Sequence, residues 1–207
     1  MPRALKTKMM QFKIILRDVK PRIWRIIQVP SNFNFQQLHI AIQDAMGWFD
    51  CHLHQFFLKD IENPLNTISI GLLDDEMDLE EDDGMKDETL FLIKDYFKVP
   101  NTKVLYEYDF GDGWEHDIIF EGVAYEKGQM PIIVNGKNPC PPEDAGGSNG
   151  FMEFLKIMKN PEHPEHEEMS DWYLNNRCGS NGKQFIPEKF NKNRVRFRKA
   201  KKTNNYS

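Results

Sequence analysis

Apolar residues at every second position predict strands in the first third of the chain. Phe12, Ile14 and Leu16 have this spacing, which is the period of a strand with one buried face. Residues 23–29 are rich in β-branched side chains and end at Pro30, so they predict a second strand that pairs with the first. A third strand is predicted over residues 51–58, whose sequence is CHLHQFFL.

Apolar residues at helical spacing predict a helix after the second strand. Asn34 is a suitable N-cap, and Gln37 three residues later completes a variant of the capping box. The apolar positions that follow are Leu38, Ala41, Ile42, Ala45 and Met46. Gly47 suits the C-terminal end of the helix.

Further helices are predicted in the second half of the chain. A short helix extends from a cap at Thr89 to Phe97, and another spans residues 151–158 and ends before Pro161. Pro164 begins a third, whose buried face is formed by Met169, Trp172 and Tyr173. Residues 135–150 are dense in proline and glycine and predict irregular structure, while residues 187–198 fit either a helix or a strand.

Residues 102–110 and 114–124 predict a hairpin. Placing both apolar sets on one side of the sheet favours a loop of three or five residues, with Phe110 opposite His116 and Tyr108 opposite Ile118. The same register sets Asp109 opposite Asp117. That repulsion would be relieved by a lysine, an arginine or a metal, unless both carboxylates simply face water.

These elements predict one α+β domain over residues 1–207, with an antiparallel or mixed sheet of hairpins packed against several helices in a roll-like arrangement. Residues 64–84 read as a loop, and residues 74–88 as a mobile acidic loop. Residues 199–207 predict a frayed basic tail.

Composition narrows the function classes. The formal net charge of −5 does not indicate nucleic-acid binding by the whole surface, although residues 189–202 are strongly basic. Three widely spaced cysteines without a C-x-x-C pair favour a reducing cytoplasm over a disulfide or zinc framework. No apolar run approaches the length of a membrane span, so no membrane partner is expected.

Candidate chemistry lies mainly in histidines and carboxylates. His52 and His54, two apart on a predicted strand, would point to one side and could bind a divalent metal together with a carboxylate, or could simply line a polar groove. Glu143 and Asp144 follow two prolines and could present carboxylates at a cleft edge, or could form a rigid turn.

A basic stripe near the C-terminus consists of Arg194, Arg196 and Arg198. It could contact phosphates, form a solvated face, or pair with the acidic run at residues 74–83.

Four sequence blocks together resemble the plasmid ORF-3-like family. They are residues 21–25 (PRIWR), residues 38–56 with their MGW and HLHQF segments, residues 106–116 (YEYDFGDGWEH), and residues 140–151 with their CPPEDAGG segment. The resemblance covers residues 9–198. It implies a bacterial or archaeal protein associated with mobile elements, of the type also called insertion-element TnpR-type passenger proteins, with an α+β roll. Resolvase activity is not indicated, because no serine lies in an arginine cluster.

Three functional hypotheses follow, and no specific activity is established by the sequence. The favoured one is a non-enzymatic binding or accessory module of a mobile-element or regulatory system. Its groove would hold a protein or nucleic-acid segment and would be lined by His52, His54, Trp114, His116, Asp109, Asp112, Glu143 and Asp144. The second is a metal-dependent hydrolase or nuclease-like enzyme that draws on the same histidines and carboxylates. The third is a DNA-contacting protein that uses the basic C-terminal stripe.

Overall fold

The computed structural model describes residues 6–72, 84–176, 185–186 and 189–199, and its main feature is an eight-stranded mixed sheet. The strands are β1 Lys6–Leu16, β2 Trp24–Pro30, β3 His54–Lys59, β4 Thr67–Gly71, β5 Met85–Asp87, β6 Lys103–Tyr108, β7 Trp114–Lys127 and β8 Ile132–Lys137. Their order is β5-β4-β3-β6-β7-β1-β2-β8. The β4–β5 pair is parallel, and the other described pairs are antiparallel.

Four α-helices accompany the sheet within the described residues: α1 Phe35–Met46, α2 Ile93–Tyr96, α3 Gly147–Met158 and α4 His166–Asn175. The predicted capping box of α1 is confirmed. Asn34 accepts a hydrogen bond from the Gln37 backbone, and the Gln37 side chain accepts one from the Asn34 backbone. Gly47 ends the helix at a φ of 98°, a left-handed conformation that glycine adopts without a Cβ clash.

One face of the sheet is buried beneath the helices. Along β7, Trp114, His116, Ile118 and Phe120 are buried, while the residues between them are partly exposed. Helix α1 covers this face at β3, where Phe35 contacts Phe56, and α3 covers it at β7, where Trp114 contacts Phe151. The predicted α+β class and the predicted pairing of the first two strands are therefore confirmed.

The β6–β7 hairpin has a five-residue loop, as the sequence allowed, but not the predicted register. Tyr108 pairs with Trp114 and Tyr106 pairs with His116, so the predicted partners for Tyr108 and His116 are wrong. The first strand ends earlier than expected because Asp109 adopts a left-handed conformation with a φ of 57°. The loop therefore comprises residues 109–113.

The predicted opposition of Asp109 and Asp117 is wrong for the same reason. Asp117 pairs across the ladder with Leu105. Its carboxylate lies 2.6 Å from Arg17 Nη2 and 2.8 Å from Lys103 Nζ. An arginine and a lysine therefore supply the compensating charge.

Predictions for residues 64–88 are wrong in part. Residues 67–71 form β4, and residues 85–87 form β5 rather than the end of a mobile loop. Glu88, within that same predicted loop, is buried. The acidic run at residues 74–83 falls outside the described residues.

Three further boundaries differ from expectation. Thr89 does not cap a helix, because its backbone N–H and its hydroxyl both donate to Asp87 and α2 begins only after Leu92. Strand β8 and helix α3 shorten the predicted irregular segment to residues 138–146. Near the C-terminus a 3₁₀-helix spans Lys192–Arg194, and residues 200–207 of the predicted basic tail fall outside the described residues.

None of the helices in the described part of the chain is long and apolar enough to cross a membrane.

Candidate metal centre

Three loops at the same end of the sheet carry the candidate functional residues. The pairing of His54 with Tyr108, and of Tyr108 with Trp114, places the start of β3 beside the loop of the β6–β7 hairpin. The end of β8 reaches this end of the sheet through its pairing with the start of β2. The loops before β3, within the hairpin and after β8 therefore converge.

His52 lies at the centre of this convergence. Its Nε2 is 3.2 Å from Asp144 Oδ1 and 3.5 Å from Asp109 Oδ2. A third carboxylate oxygen, Glu143 Oε2, is 3.9 Å away. Within the described part of the chain, His52 Nε2 and Glu143 Oε2 are both buried and without a hydrogen-bond partner. Because buried polar atoms are nearly always paired, the two atoms suit a ligand that both can contact.

Asp109 is oriented by its own turn. Its Oδ1 accepts hydrogen bonds from the backbone N–H groups of Gly111 at 3.0 Å and Asp112 at 3.3 Å. Aspartate is among the few residues that tolerate the left-handed conformation found here. One carboxylate oxygen is thus occupied by the turn, while the other faces His52.

Glu143 is held in a similar way. Its Oε1 accepts hydrogen bonds from the Phe49 backbone N–H at 2.9 Å and from the Tyr108 hydroxyl at 3.0 Å. The side chain is fully buried, and burial raises the pKa of Glu143 above its ordinary value. Both bonds fall on one oxygen, so the other is directed toward His52.

Asp112 joins two of the loops and does not face His52. Its carboxylate accepts a hydrogen bond from the Gly146 backbone N–H at 3.1 Å. The residue after Gly146, Gly147, has a φ of 67°, and a Cβ at this position would lie 2.6 Å from the Asp112 carbonyl oxygen. Asp112 and Gly147 therefore fix the hairpin loop against the loop that carries Glu143 and Asp144.

The arrangement has the donor set of a divalent-cation site. His52, Asp109 and Asp144 each offer one ligand atom, and these atoms lie within 4.8 Å of one another. Two atoms bound to one ion at about 2.1 Å lie at most about 4.2 Å apart, so small adjustments would bring the three around a cation. An imidazole with carboxylates suits Mn²⁺, Fe²⁺ or Zn²⁺.

The cluster is open to solvent on one side. The His52 side chain is 27% exposed and the Asp144 side chain 55% exposed, whereas Glu143 closes the inner side. A bound cation would therefore keep coordination positions for water, as catalytic sites do and closed structural sites do not.

His54 does not join His52. His52 precedes β3, and His54 is the first residue of that strand, so the prediction that both imidazoles share one face of a strand is wrong. His54 Nε2 lies 2.7 Å from Glu88 Oε2, and its ring stacks on His39 with 3.4 Å between ring centroids. His54 therefore belongs to a buried pair.

Trp114 and His116 do not line a groove. Both are buried, so the expectation that their side chains form an exposed binding surface is wrong. His116 contacts Trp48 and Tyr106, and burial lowers its pKa to about 3. The alternation of β7, which begins at Trp114 as predicted, places both side chains on the covered face of the sheet.

Arg198 of the basic stripe contacts carboxylates other than the three that surround His52. Arg198 is held by acids, with its Nε 2.7 Å from Asp44 Oδ1 and its Nη1 3.4 Å from Asp50 Oδ2. Arg194 and Arg196 are exposed along the same segment. Contact of these arginines with DNA stays a prediction.

Sequence reasoning missed the buried network around His39. His39 Nε2 lies 2.6 Å from Asp50 Oδ1, and its Nδ1 lies 2.8 Å from the Tyr106 hydroxyl, which also accepts from Gln43. Burial lowers the pKa of His39 to about 4, so the ring is neutral at pH 7. Nε2 then donates to Asp50 and Nδ1 accepts from Tyr106. No local spacing signals a contact between residues this far apart in sequence.

The fold and the cluster together define the class of protein. It is an α+β protein whose eight-stranded sheet is covered by helices on one face and carries a histidine–carboxylate cluster on its loops. The chain belongs to the plasmid pRiA4b ORF-3-like family, whose model matches residues 8–194. The resemblance based on the four sequence blocks is thereby confirmed.

Two relatives agree with this assignment. The chain is 33% identical over 171 residues to the uncharacterized protein y4hQ of Sinorhizobium fredii, covering 82% of this chain and 80% of that protein. It is also similar to the crystal structure of a protein of unknown function, MM3350, from Methanosarcina mazei Go1, with a TM-score of 0.78 and 34% identity. That match covers 92% of this chain and 99% of the other. The comparisons thus support the family and the fold, and the chemistry must be argued from the site.

Proposed function

We propose that this protein is a divalent-metal-dependent hydrolase whose metal is held by His52, Asp109, Glu143 and Asp144. The sequence favoured a non-enzymatic binding module. That hypothesis depended on an exposed groove formed in part by His54, Trp114 and His116, and these three side chains are buried. The metal-dependent alternative gains support because four of its candidate residues converge.

The observation that carries the proposal is that two buried polar atoms of the cluster lack a hydrogen bond within the described part of the chain. His52 Nε2 and Glu143 Oε2 are 3.9 Å apart, and both are buried without a hydrogen-bond partner among the described residues. A cation between them would satisfy both atoms at once and would offset the excess of negative charge around the imidazole.

A hydrolytic role follows from the open side of the cluster. A divalent cation with free coordination positions lowers the pKa of a bound water and supplies a hydroxide at neutral pH. The surrounding chain contributes orientation: Tyr108 and the Phe49 backbone fix Glu143, and the hairpin turn fixes Asp109. Association with mobile elements and a cytoplasmic location stay predictions.

Metal binding is the first test. Titration calorimetry of chelator-treated protein with Mn²⁺ and Zn²⁺, checked by elemental analysis, is expected to give about one equivalent. His52→Ala is expected to weaken the affinity at least 100-fold, since it removes the only nitrogen among the proposed ligands. His163→Ala is the matched control and should bind as the parent does, because His163 lies outside the cluster. Equal binding by the parent and His52→Ala would contradict the proposed site.

Hydrolysis is the second test. Chromogenic phosphate monoesters, phosphodiesters and carboxylic esters are incubated with metal-loaded protein, with chelator, and with the Asp109→Asn variant. We expect one substrate class to turn over only with metal and only with Asp109 intact. Metal bound at one equivalent without turnover of any class would retain the site but overturn the hydrolase, and a binding or accessory role would replace it.

A further inference from the structure

A groove of about 570 Å³ lies beside the candidate metal centre. Its walls are the end of α1 and the loop that follows it, the segment before Glu143, and the C-terminal segment from Lys189 to Arg198. This volume falls within the range of pockets that bind small molecules.

The groove is strongly positive. Its cationic lining residues are Arg25, Lys189, Arg194, Arg196 and Arg198. Asp44 is the acidic residue among the lining residues, and it already accepts two hydrogen bonds from Arg198. The net charge −5 of the whole chain makes this local concentration of positive charge more informative. The groove therefore favours an anion.

Arg25 places a positive charge in the wall itself. Arg25 as a whole is 1% exposed, and its guanidinium donates to the carbonyl oxygens of Ala45, Trp24 and Lys137 at 2.9–3.0 Å. Within the described residues, no carboxylate forms an ion pair with it. Burial lowers the pKa of Arg25 to about 10, so the group stays charged at pH 7. An anion in the groove would offset this buried charge.

Five aromatic residues also belong to the lining. Phe49, Tyr173 and Phe190 are partly exposed, whereas Trp48 and Phe185 are buried against other aromatic rings. Phe190 is already covered on one face by the Arg25 guanidinium, 3.8 Å from the ring centroid. Stacking of a planar ring on aromatic side chains stabilises a complex. The groove therefore suits a ligand that combines an anionic group with a planar ring.

The groove and the metal centre share one stretch of wall. Phe49 lines the groove, and its backbone N–H donates to the Glu143 carboxylate. Pro142 lines the groove as well and immediately precedes Glu143. An anion held by the groove arginines would therefore lie on the wall that carries a proposed metal ligand.

We propose that this groove binds a phosphate monoester that carries an aromatic ring, with a nucleoside monophosphate as the simplest case. Arginines recognise phosphate through paired hydrogen bonds, and the aromatic lining receives the base. The role of the monophosphate as a substrate rests on the proposed metal centre, but its binding in the groove does not. Hydrolysis would add water across the P–O ester bond and release the nucleoside and inorganic phosphate.

The test measures binding without metal. In buffer containing EDTA, calorimetry compares adenosine 5′-monophosphate, adenosine, inorganic phosphate and a single-stranded 12-nucleotide DNA. We expect the monophosphate to bind one to one, and both adenosine and phosphate to bind at least tenfold more weakly. The Arg194→Ala, Arg196→Ala double variant is expected to lose at least tenfold in affinity. Both side chains are exposed, so folding should be retained, as checked by thermal unfolding.

Arg22→Ala is the matched control, because Arg22 is an exposed arginine outside the groove lining. It should bind the monophosphate within twofold of the parent. Preference for the oligonucleotide with a steep salt dependence would overturn the proposal in favour of a nucleic-acid surface. Absence of monophosphate binding, or equal loss in Arg22→Ala, would also overturn it. The metal-binding result stays independent, because EDTA excludes metal from this measurement.

Discussion

His52 and His54 lie two residues apart in the sequence, but their side chains have opposite surroundings. The His54 side chain is 5% exposed, contacts one carboxylate at 2.7 Å and stacks on His39. The His52 side chain is partly exposed and faces three carboxylates without a hydrogen bond to any of them within the described residues. One carboxylate is enough to pair with one imidazole, whereas three carboxylates carry more negative charge than one imidazole can neutralise.

The difference separates a structural histidine from a candidate ligand. The buried His54 imidazole and the buried Glu88 carboxylate contact each other, so neither group needs a ligand to satisfy it. At His52 the ring Nε2 and the Glu143 oxygen that faces it are buried without a hydrogen bond among the described residues, and the Asp109 oxygen that faces the ring is the one that the hairpin turn does not use. Several potential metal-ligand atoms that face one point, and that the fold itself does not use, indicate a binding site.

The largest expected effect is on stability, at the buried pair. His54→Ala leaves the Glu88 carboxylate buried without its partner, and loss of one member of such a pair is destabilising by about 3–5 kcal/mol. His52→Ala should change the free energy of unfolding by less than about 1 kcal/mol, because its side chain is partly exposed. Urea unfolding at pH 7 in the presence of chelator measures both.

A double variant makes this comparison sharper. His54→Leu with Glu88→Leu removes both polar partners and should recover most of the lost stability, since an apolar pair of similar volume often replaces a buried ion pair without loss. If His52→Ala destabilised the protein as much as His54→Ala does, the distinction between the two histidines would be wrong.

The fold was largely predictable from the sequence because its signals are local. The capping box at Asn34 and Gln37 and the alternation in β1 depend on residues within a few positions of each other. The hairpin register was not predictable, because the left-handed conformation at Asp109 ended the strand two residues early. Strand β4 was obscured by a sequence that reads as a loop.

A second effect appears in the pH dependence of stability. Burial lowers the pKa of His39 to about 4 and that of His116 to about 3, whereas an unfolded histidine titrates near 6.5. Between these values the unfolded chain binds more protons. The contribution of these two histidines to the free energy of unfolding is therefore fully present above about pH 6.5. It falls on acidification by about 1.4 kcal/mol per pH unit for each histidine.

Urea unfolding between pH 7 and pH 5 measures this slope. His116→Leu should make it shallower by about the contribution of one histidine. Asp50 and Asp117 have lowered pKa values and act below this window, while burial raises the pKa of Glu143 and works in the opposite direction. The comparison is therefore repeated in a Glu143→Gln background. A flat profile in the parent and in this background would contradict the neutral, buried state of both rings.

The candidate site was predictable as a set of residues but not as an arrangement. His52, Asp109, Glu143 and Asp144 were all singled out as polar residues within distinctive blocks. The sequence could not separate His52 from His54, because that depends on where β3 begins. It also could not show that Tyr108 and the Phe49 backbone occupy one oxygen of Glu143, because these contacts join distant segments.

The smallest expected effect has the opposite sign and tests the comparison most directly. Asp109→Asn keeps an oxygen to accept from Gly111 and Asp112 and removes one negative charge near His52. In chelator, the free energy of unfolding should be unchanged or raised by up to about 1 kcal/mol. The reason is that the substitution removes the repulsion between Asp109 and the other carboxylates around His52.

Addition of Mn²⁺ should then raise the melting temperature of the parent but not that of Asp109→Asn, since only the parent retains the full ligand set. Stability gained at the expense of metal binding is expected of a site that keeps charges together for function. If Asp109→Asn were destabilised by more than about 1 kcal/mol, Asp109 would instead resemble Glu88: a carboxylate that the fold requires, with His52 as its structural partner.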